Sequence, residues 1–91
     1  MRKLTEQDMA AVIGRAHCGY TIERARVKTG EFSDSDHYGI VLARSDSGKY
    51  VTWQFHLIDE QPSYYWGRYH MENQEAAFKD FETRGTDKDE R

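Results

Sequence analysis

Apolar residues recur along the chain with two periods, and these periods predict its secondary structure. Four apolar side chains near the N-terminus have the spacing of one helical face: Met9, Val12, Ile13 and Ala16. They predict a helix over residues 6–17. Thr5 with Asp8 three residues on resembles a capping box at its start, and Gly19 is a typical helix stop.

A second, shorter helix is predicted near the C-terminus. Asn73 is a suitable N-cap, and Ala77, Phe78 and Phe81 form an apolar stripe at helical spacing. Gly85 ends this helix. The residues after Gly85 are polar, so positions 86–91 are expected to form a tail.

Between the helices, short segments rich in aromatic and β-branched residues predict four strands: residues 20–28, 38–44, 49–58 and 64–71. The first alternates imperfectly, which indicates a bulge or an edge position. The second is apolar on both parities, as expected of a central strand. A polar loop at 29–37, a turn at 45–48 and a loop at 59–63 separate the four strands.

Strict alternation in the third strand predicts which of its side chains are buried: Val51, Trp53, Phe55 and Leu57. In the predicted register Arg44 faces Lys49, and Phe55 covers Gly67 across the second hairpin. The fold class expected is α+β, a four-stranded antiparallel meander with both terminal helices on one face, in the order α-β-β-β-β-α. One domain spans residues 1–85.

Composition places the protein among small cytoplasmic domains. The 91 residues carry a net charge of −3, and 13% of them are aromatic. The negative charge argues against duplex nucleic acid, which needs a basic stripe. Cys18 is the only cysteine, so no internal disulfide forms. The N-terminus lacks an apolar leader segment, and no apolar run is long enough to span a membrane.

Two surfaces are candidates for binding. The sheet face left open by the helices would carry His56, Trp66, Arg68 and His70, and an exposed Trp beside Arg is typical of an interface hot spot. The second candidate is an acidic helix face with Glu75, Asp80 and Glu82, which could imitate the phosphates of a nucleic acid. The pattern does not decide between the two surfaces.

No catalytic or metal-binding spacing is found. His17 and Cys18 are adjacent, so their side chains diverge on a helix, and His56 and His70 are too far apart along the predicted ladder to share a metal. We therefore expect no enzyme activity, no metal and no cofactor.

The chain resembles small accessory proteins of bacterial phages and conjugative elements. The resemblance rests on segments 38–42, 50–55, 65–69 and 77–81. It implies an inhibitory function, such as that of anti-CRISPR proteins that bind a host nuclease. The helix-sheet-helix order is also similar to double-stranded-RNA-binding domains, but those have three strands and a basic cluster that this chain lacks.

The leading hypothesis is a non-catalytic protein-binding domain, an inhibitor of a larger host defence protein. The alternative is single-stranded nucleic-acid binding on the open sheet face, assisted by Arg24, Arg26 and Lys28. A third hypothesis is a homodimer joined through the same face or an edge strand.

Overall fold

A five-stranded antiparallel sheet in the order β1-β2-β3-β4-β5 is the centre of the computed structural model, which describes residues 3–28 and 37–86. The elements in chain order are α1 (Glu6–Val12), β1 (Ala16–His17), β2 (Tyr20–Val27), β3 (Gly39–Ser45), β4 (Tyr50–Ile58), β5 (Gln61–Met71) and α2 (Gln74–Thr83). The α+β class, the antiparallel sheet and the two helices are confirmed. The predicted number of strands was wrong, because β1 was assigned to the first helix.

Helix α1 begins as predicted and ends earlier. Thr5 Oγ1 accepts a hydrogen bond from the Asp8 amide, and the Asp8 carboxylate accepts one from the Thr5 amide. Ile13 already has an extended backbone, with a φ of −65° and a ψ of 131°, and Gly14 follows with a φ of +91°, so the helical path ends here. The next residues turn back at Cys18 and Gly19 and pair with β2 as the short strand β1.

The two helices pack on opposite faces of the sheet, so the prediction of one shared face was wrong. Val41 and Ala43 of β3 belong to the apolar cluster that contains α1 residues, whereas Ile40 and Leu42 belong to the cluster that contains α2 residues. These are alternate positions of one strand, and alternate side chains point to opposite faces. Strand β3 is therefore buried on both sides.

The sheet curls around the α1 side. Bulges interrupt the β2–β3 and β4–β5 ladders, and bulges bend strands. The curl brings β1 across the concave face, where the His17 ring lies 5.0 Å from Trp53 and 4.7 Å from Tyr64 between centroids. Val51, Trp53 and Phe55 are buried in this face, with Leu57 packed against them, as predicted.

Both predicted hairpin registers were wrong in detail. Arg44 pairs with Tyr50 rather than Lys49, so Gly39 lies opposite Phe55. The second hairpin closes on two residues, with Ile58 opposite Gln61, and the expected loop at 59–63 is mostly strand. In consequence Phe55 covers Gly39, and Trp53 covers Gly67.

Parts of the predicted loop and tail, residues 29–36 and 87–91, lie outside the described residues. Within the described part of the chain, neither helix is long and apolar enough to cross a membrane.

Candidate functional site

A bulge in the edge strand β5 presents an exposed tryptophan. Tyr65 pairs with Gln54 and Arg68 pairs with Thr52, so two residues, Trp66 and Gly67, lie opposite one residue of β4. Trp66 adopts a φ of +56°, which bulky side chains rarely do. It is 68% exposed, whereas the core tryptophan Trp53 is 4% exposed.

The bulge also places Trp66 beside its neighbour in sequence. Consecutive residues of a regular strand point to opposite faces, yet the rings of Tyr65 and Trp66 have centroids 4.9 Å apart at an angle of 77°. The left-handed backbone at Trp66 therefore turns the indole toward the side of Tyr65.

Three further side chains extend this contact across the end of the sheet. His56 packs against Tyr65 with ring centroids 5.2 Å apart, and Tyr38 packs against His56 at 5.8 Å. The ammonium of Lys28 lies 5.8 Å from the centre of the Tyr38 ring. We call Lys28, Tyr38, His56, Tyr65 and Trp66 the Trp66 surface.

Hydrogen bonds hold the middle of the Trp66 surface rigid. Lys28 Nζ donates to Gln54 Oε1 at 3.2 Å, and Gln54 Nε2 donates to the Tyr65 hydroxyl at 3.0 Å. His56 Nδ1 lies 3.0 Å from the same hydroxyl. Burial raises the pKa of Tyr65, which keeps its phenol protonated, and the two groups share a proton in a direction set by the tautomer of His56.

Next to this surface, helix α2 is attached to the sheet by a carboxylate. Asp80 accepts hydrogen bonds from Thr52 Oγ1 at 2.6 Å, Arg68 Nη1 at 2.7 Å and His70 Nε2 at 2.9 Å. Its side chain is 11% exposed. Burial alone would raise the pKa of Asp80, but the bonds from Thr52, His70 and Arg68 and the charge of Arg68 outweigh burial, and the pKa lies below its ordinary value.

Arg84, at the end of α2, connects the helix to the bulge. It is 3% exposed. Its Nη1 donates to the Thr52 carbonyl at 2.8 Å and to Thr52 Oγ1 at 3.0 Å, and its Nη2 donates to the Trp66 carbonyl. The end of α2 is held in turn by Arg26, which donates to the carbonyls of Phe81 and Arg84.

The structure separates the predicted sheet-face residues into two groups. His56 and Trp66 both belong to the Trp66 surface, with the Tyr65 ring between them rather than in direct cross-strand contact. Arg68 and His70 lie beneath α2, bound to Asp80. The face was predicted to be open because both helices were placed on the other side of the sheet.

The predicted acidic surface is also divided. Glu75 and Glu82 are exposed on α2, but Asp80 is turned toward the sheet. Among the residues that the structure describes, no three His, Cys, Asp or Glu side chains are placed to share a metal ion.

The role of Arg84 was not identified from the sequence. A signal was present, since Ala77, Phe81 and Arg84 are spaced i, i+4 and i+7 and therefore share the buried stripe of α2. Nothing in the sequence marked the bulge at Trp66 in the same way.

Comparison of the chain with protein-family models, with curated proteins and with solved structures found no match.

Proposed function

We propose that this chain is a non-catalytic domain that binds another protein through the Trp66 surface. The observation that carries the proposal is the exposure of Trp66 in a left-handed backbone. Such a conformation costs about 1–3 kcal/mol for a residue other than glycine. Arg84 offsets part of that cost by bonding the Trp66 carbonyl, but burial of the indole offsets little of it, because the ring remains largely in water. A partner that buries the indole would recover it.

The surroundings of Trp66 support a protein partner. Tryptophan and tyrosine dominate interface hot spots because they bury a large area with few rotatable bonds. Tyr65 and His56 are locked by hydrogen bonds, so little side-chain entropy is lost on binding. In its finer form, the proposal is that the partner is a larger host defence protein in the cytoplasm, which the chain inhibits by occupying its surface.

The experiment compares two exposed aromatic residues of β5. Wild type, Trp66→Ala and Tyr69→Ala are immobilised in parallel, and the proteins retained from a lysate of the source organism are quantified. Tyr69 is 57% exposed, and its ring packs against Tyr20 rather than on the Trp66 surface. We expect one protein to be retained by wild type and Tyr69→Ala and lost with Trp66→Ala.

For the retained partner, Trp66→Ala should weaken binding by about 2 kcal/mol or more, roughly thirtyfold in Kd. Far-UV circular dichroism and the urea midpoint should stay those of wild type, because the indole is exposed. Equal retention by all three proteins would contradict the proposal, as would unfolding of Trp66→Ala.

A second candidate function is single-stranded nucleic-acid binding on the same surface. The aromatic rings beside Lys28 favour it, because bases stack on such rings next to cations. Against it, Arg24 lies over the Phe78 ring at 4.4 Å and Arg26 bonds the carbonyl of Phe81, so both guanidinium groups contact α2 rather than the Trp66 surface.

Tryptophan fluorescence separates the two candidates. A mixed single-stranded oligonucleotide is titrated into wild type and Trp66→Phe at low and at physiological salt. The protein-binding proposal expects no quenching at either salt. Quenching that depends on Trp66 and weakens with salt would support nucleic-acid binding instead.

A further inference from the structure

We infer that Arg84 is a positioning residue for Trp66: by bonding both sides of the β4–β5 bulge, its guanidinium fixes the direction of the indole, so that α2 controls the Trp66 surface. The meaning of this control for binding rests on the proposed function. The geometric relation between the two residues does not depend on it.

The guanidinium spans the irregular part of the sheet. On β4 it bonds the carbonyl and the hydroxyl of Thr52, and on β5 it bonds the carbonyl of Trp66. A bulge removes regular ladder partners from the extra residue, and a buried carbonyl without a partner is costly. Arg84 supplies the donor that the bulge removes, and so it stabilises the left-handed backbone of Trp66.

The choice of arginine at this position supports a positioning role. Position 84 continues the apolar stripe of α2, where a leucine would pack without the cost of burying a charge. Lysine would supply a single point charge, whereas the planar fork of arginine can donate to two strands at once. Arginine at position 84 therefore suits hydrogen bonding to two strands better than it suits apolar packing in the core.

Arg26 and Asp80 are charged residues that also bond groups at this end of α2. Arg26 bonds the carbonyls of Phe81 and Arg84, and Asp80 and Arg84 both bond the hydroxyl of Thr52. Arg26→Gln removes these two bonds and keeps the guanidinium of Arg84, which makes it the matched control for Arg84→Lys.

Nuclear magnetic resonance tests the inference directly. The two indole Nε1–H signals are assigned by their loss in Trp66→Phe, and the coupling between the amide and Hα protons reports the φ of residue 66. In Arg84→Lys we expect the Trp66 indole signal to shift or broaden and the positive φ to be lost. The circular dichroism should stay that of wild type, and Arg26→Gln should keep both Trp66 signatures.

A folded Arg84→Lys with unchanged Trp66 signatures would overturn the inference, and so would an equal change in Arg26→Gln. If Arg84→Lys does not fold, the inference is tested on the wild-type protein instead. Protected guanidinium protons of Arg84 with Overhauser contacts to Trp66 are expected, and their absence would also overturn it.

The effect on partner binding is measured in a separate retention experiment. If a partner is lost with Trp66→Ala, Arg84→Lys should lower its retention toward the same level while Arg26→Gln retains it. Partner retention by Arg84→Lys equal to that of wild type would overturn the control of binding by α2. If Trp66→Ala itself retains the partner, the proposed function fails, and the resonance data still decide whether Arg84 positions Trp66.

Discussion

At the scale of single residues, two aromatic rings of β4 lie directly on glycines of neighbouring strands. A Cβ at Gly39 would overlap the ring of Phe55, and one at Gly67 would lie 2.8 Å from Trp53 Nε1. Aromatic rings cover bare backbone in this way in many sheets. The close fit makes these two glycines necessary for packing, although neither has a positive φ.

Gly39→Ala should therefore lower the free energy of unfolding by about 1–3 kcal/mol, the usual cost of overpacking a core. Urea denaturation measures it. In a double-mutant cycle with Phe55→Leu, the penalty of Gly39→Ala should become smaller, because the smaller side chain makes room. Strict additivity of the two substitutions would show that Phe55 is not the obstacle.

The type of turn after β4 could not be predicted from its residues. Asp59 and Glu60 have φ values of +50° and +65°, so they form a two-residue turn of the kind that usually contains glycine. The sequence offered Pro62 as the nearest turn residue instead, and a longer loop was predicted. Pro62 actually lies in β5, where an edge strand tolerates its missing amide.

At the scale of elements, helix α2 is attached to the sheet mainly by polar groups around Asp80. Thr52, Arg68 and His70 all bond its carboxylate, while only Ala77 and Phe81 of the helix are buried apolar residues. A short helix with so few apolar contacts depends on this carboxylate to a large degree.

Asp80→Asn should lower the free energy of unfolding at neutral pH by about 1.5–3 kcal/mol, the contribution of hydrogen bonds to a charged group. Glu82→Gln, on the exposed side of the same helix, should change it by about 0.5 kcal/mol or less. Chemical denaturation of the three proteins provides the comparison, and equal stabilities would contradict the role assigned to Asp80.

The same carboxylate predicts a pH dependence. Its pKa is lower in the folded protein than the ordinary value of 3.8, so the unfolded chain takes up the proton first. The stabilisation is present above the unfolded pKa and is lost as the pH falls through the folded pKa. Between about pH 5 and pH 2, the unfolding free energy of wild type should therefore fall more steeply than that of Asp80→Asn. Parallel slopes would contradict this.

The helix N-termini were predictable from the sequence and the end of α1 was not. Thr5 with Asp8, and Asn73, carry local hydrogen-bonding signals that act within one turn, and both caps are confirmed. The end of α1 depends on whether residues 13–17 continue the helix or pair with β2. The local spacing of apolar residues does not reveal which of the two is more stable. The helix ends at Val12, and the extended backbone of Ile13, followed by Gly14, leads the chain out of it.

At the scale of the whole molecule, the central strand β3 is buried on both faces and joins two apolar clusters. Burial of β3 on both faces could have been predicted from the sequence, because the segment from Ile40 to Leu42 is apolar without alternation. Such a strand needs a packed layer on each side. Placing both helices on one face left the other face open, and that error produced the predicted open binding surface with Arg68 and His70.

The shared strand predicts that both clusters unfold together. Ile22→Ala on the α1 side and Leu42→Ala on the α2 side should each lower the free energy of unfolding by about 2–5 kcal/mol. Each variant should still show one transition, coincident by circular dichroism and by tryptophan fluorescence. Two separable transitions would show that the clusters are independent.

The central claim is that Trp66 is the contact through which the chain binds another protein. Site-specific photo-crosslinking tests it most directly, with Trp66→benzoylphenylalanine compared with Tyr69→benzoylphenylalanine in a lysate of the source organism. Our account predicts a covalent adduct of one defined mass from position 66 and none from position 69. Adducts of equal yield from both positions, or from position 69 alone, would contradict it.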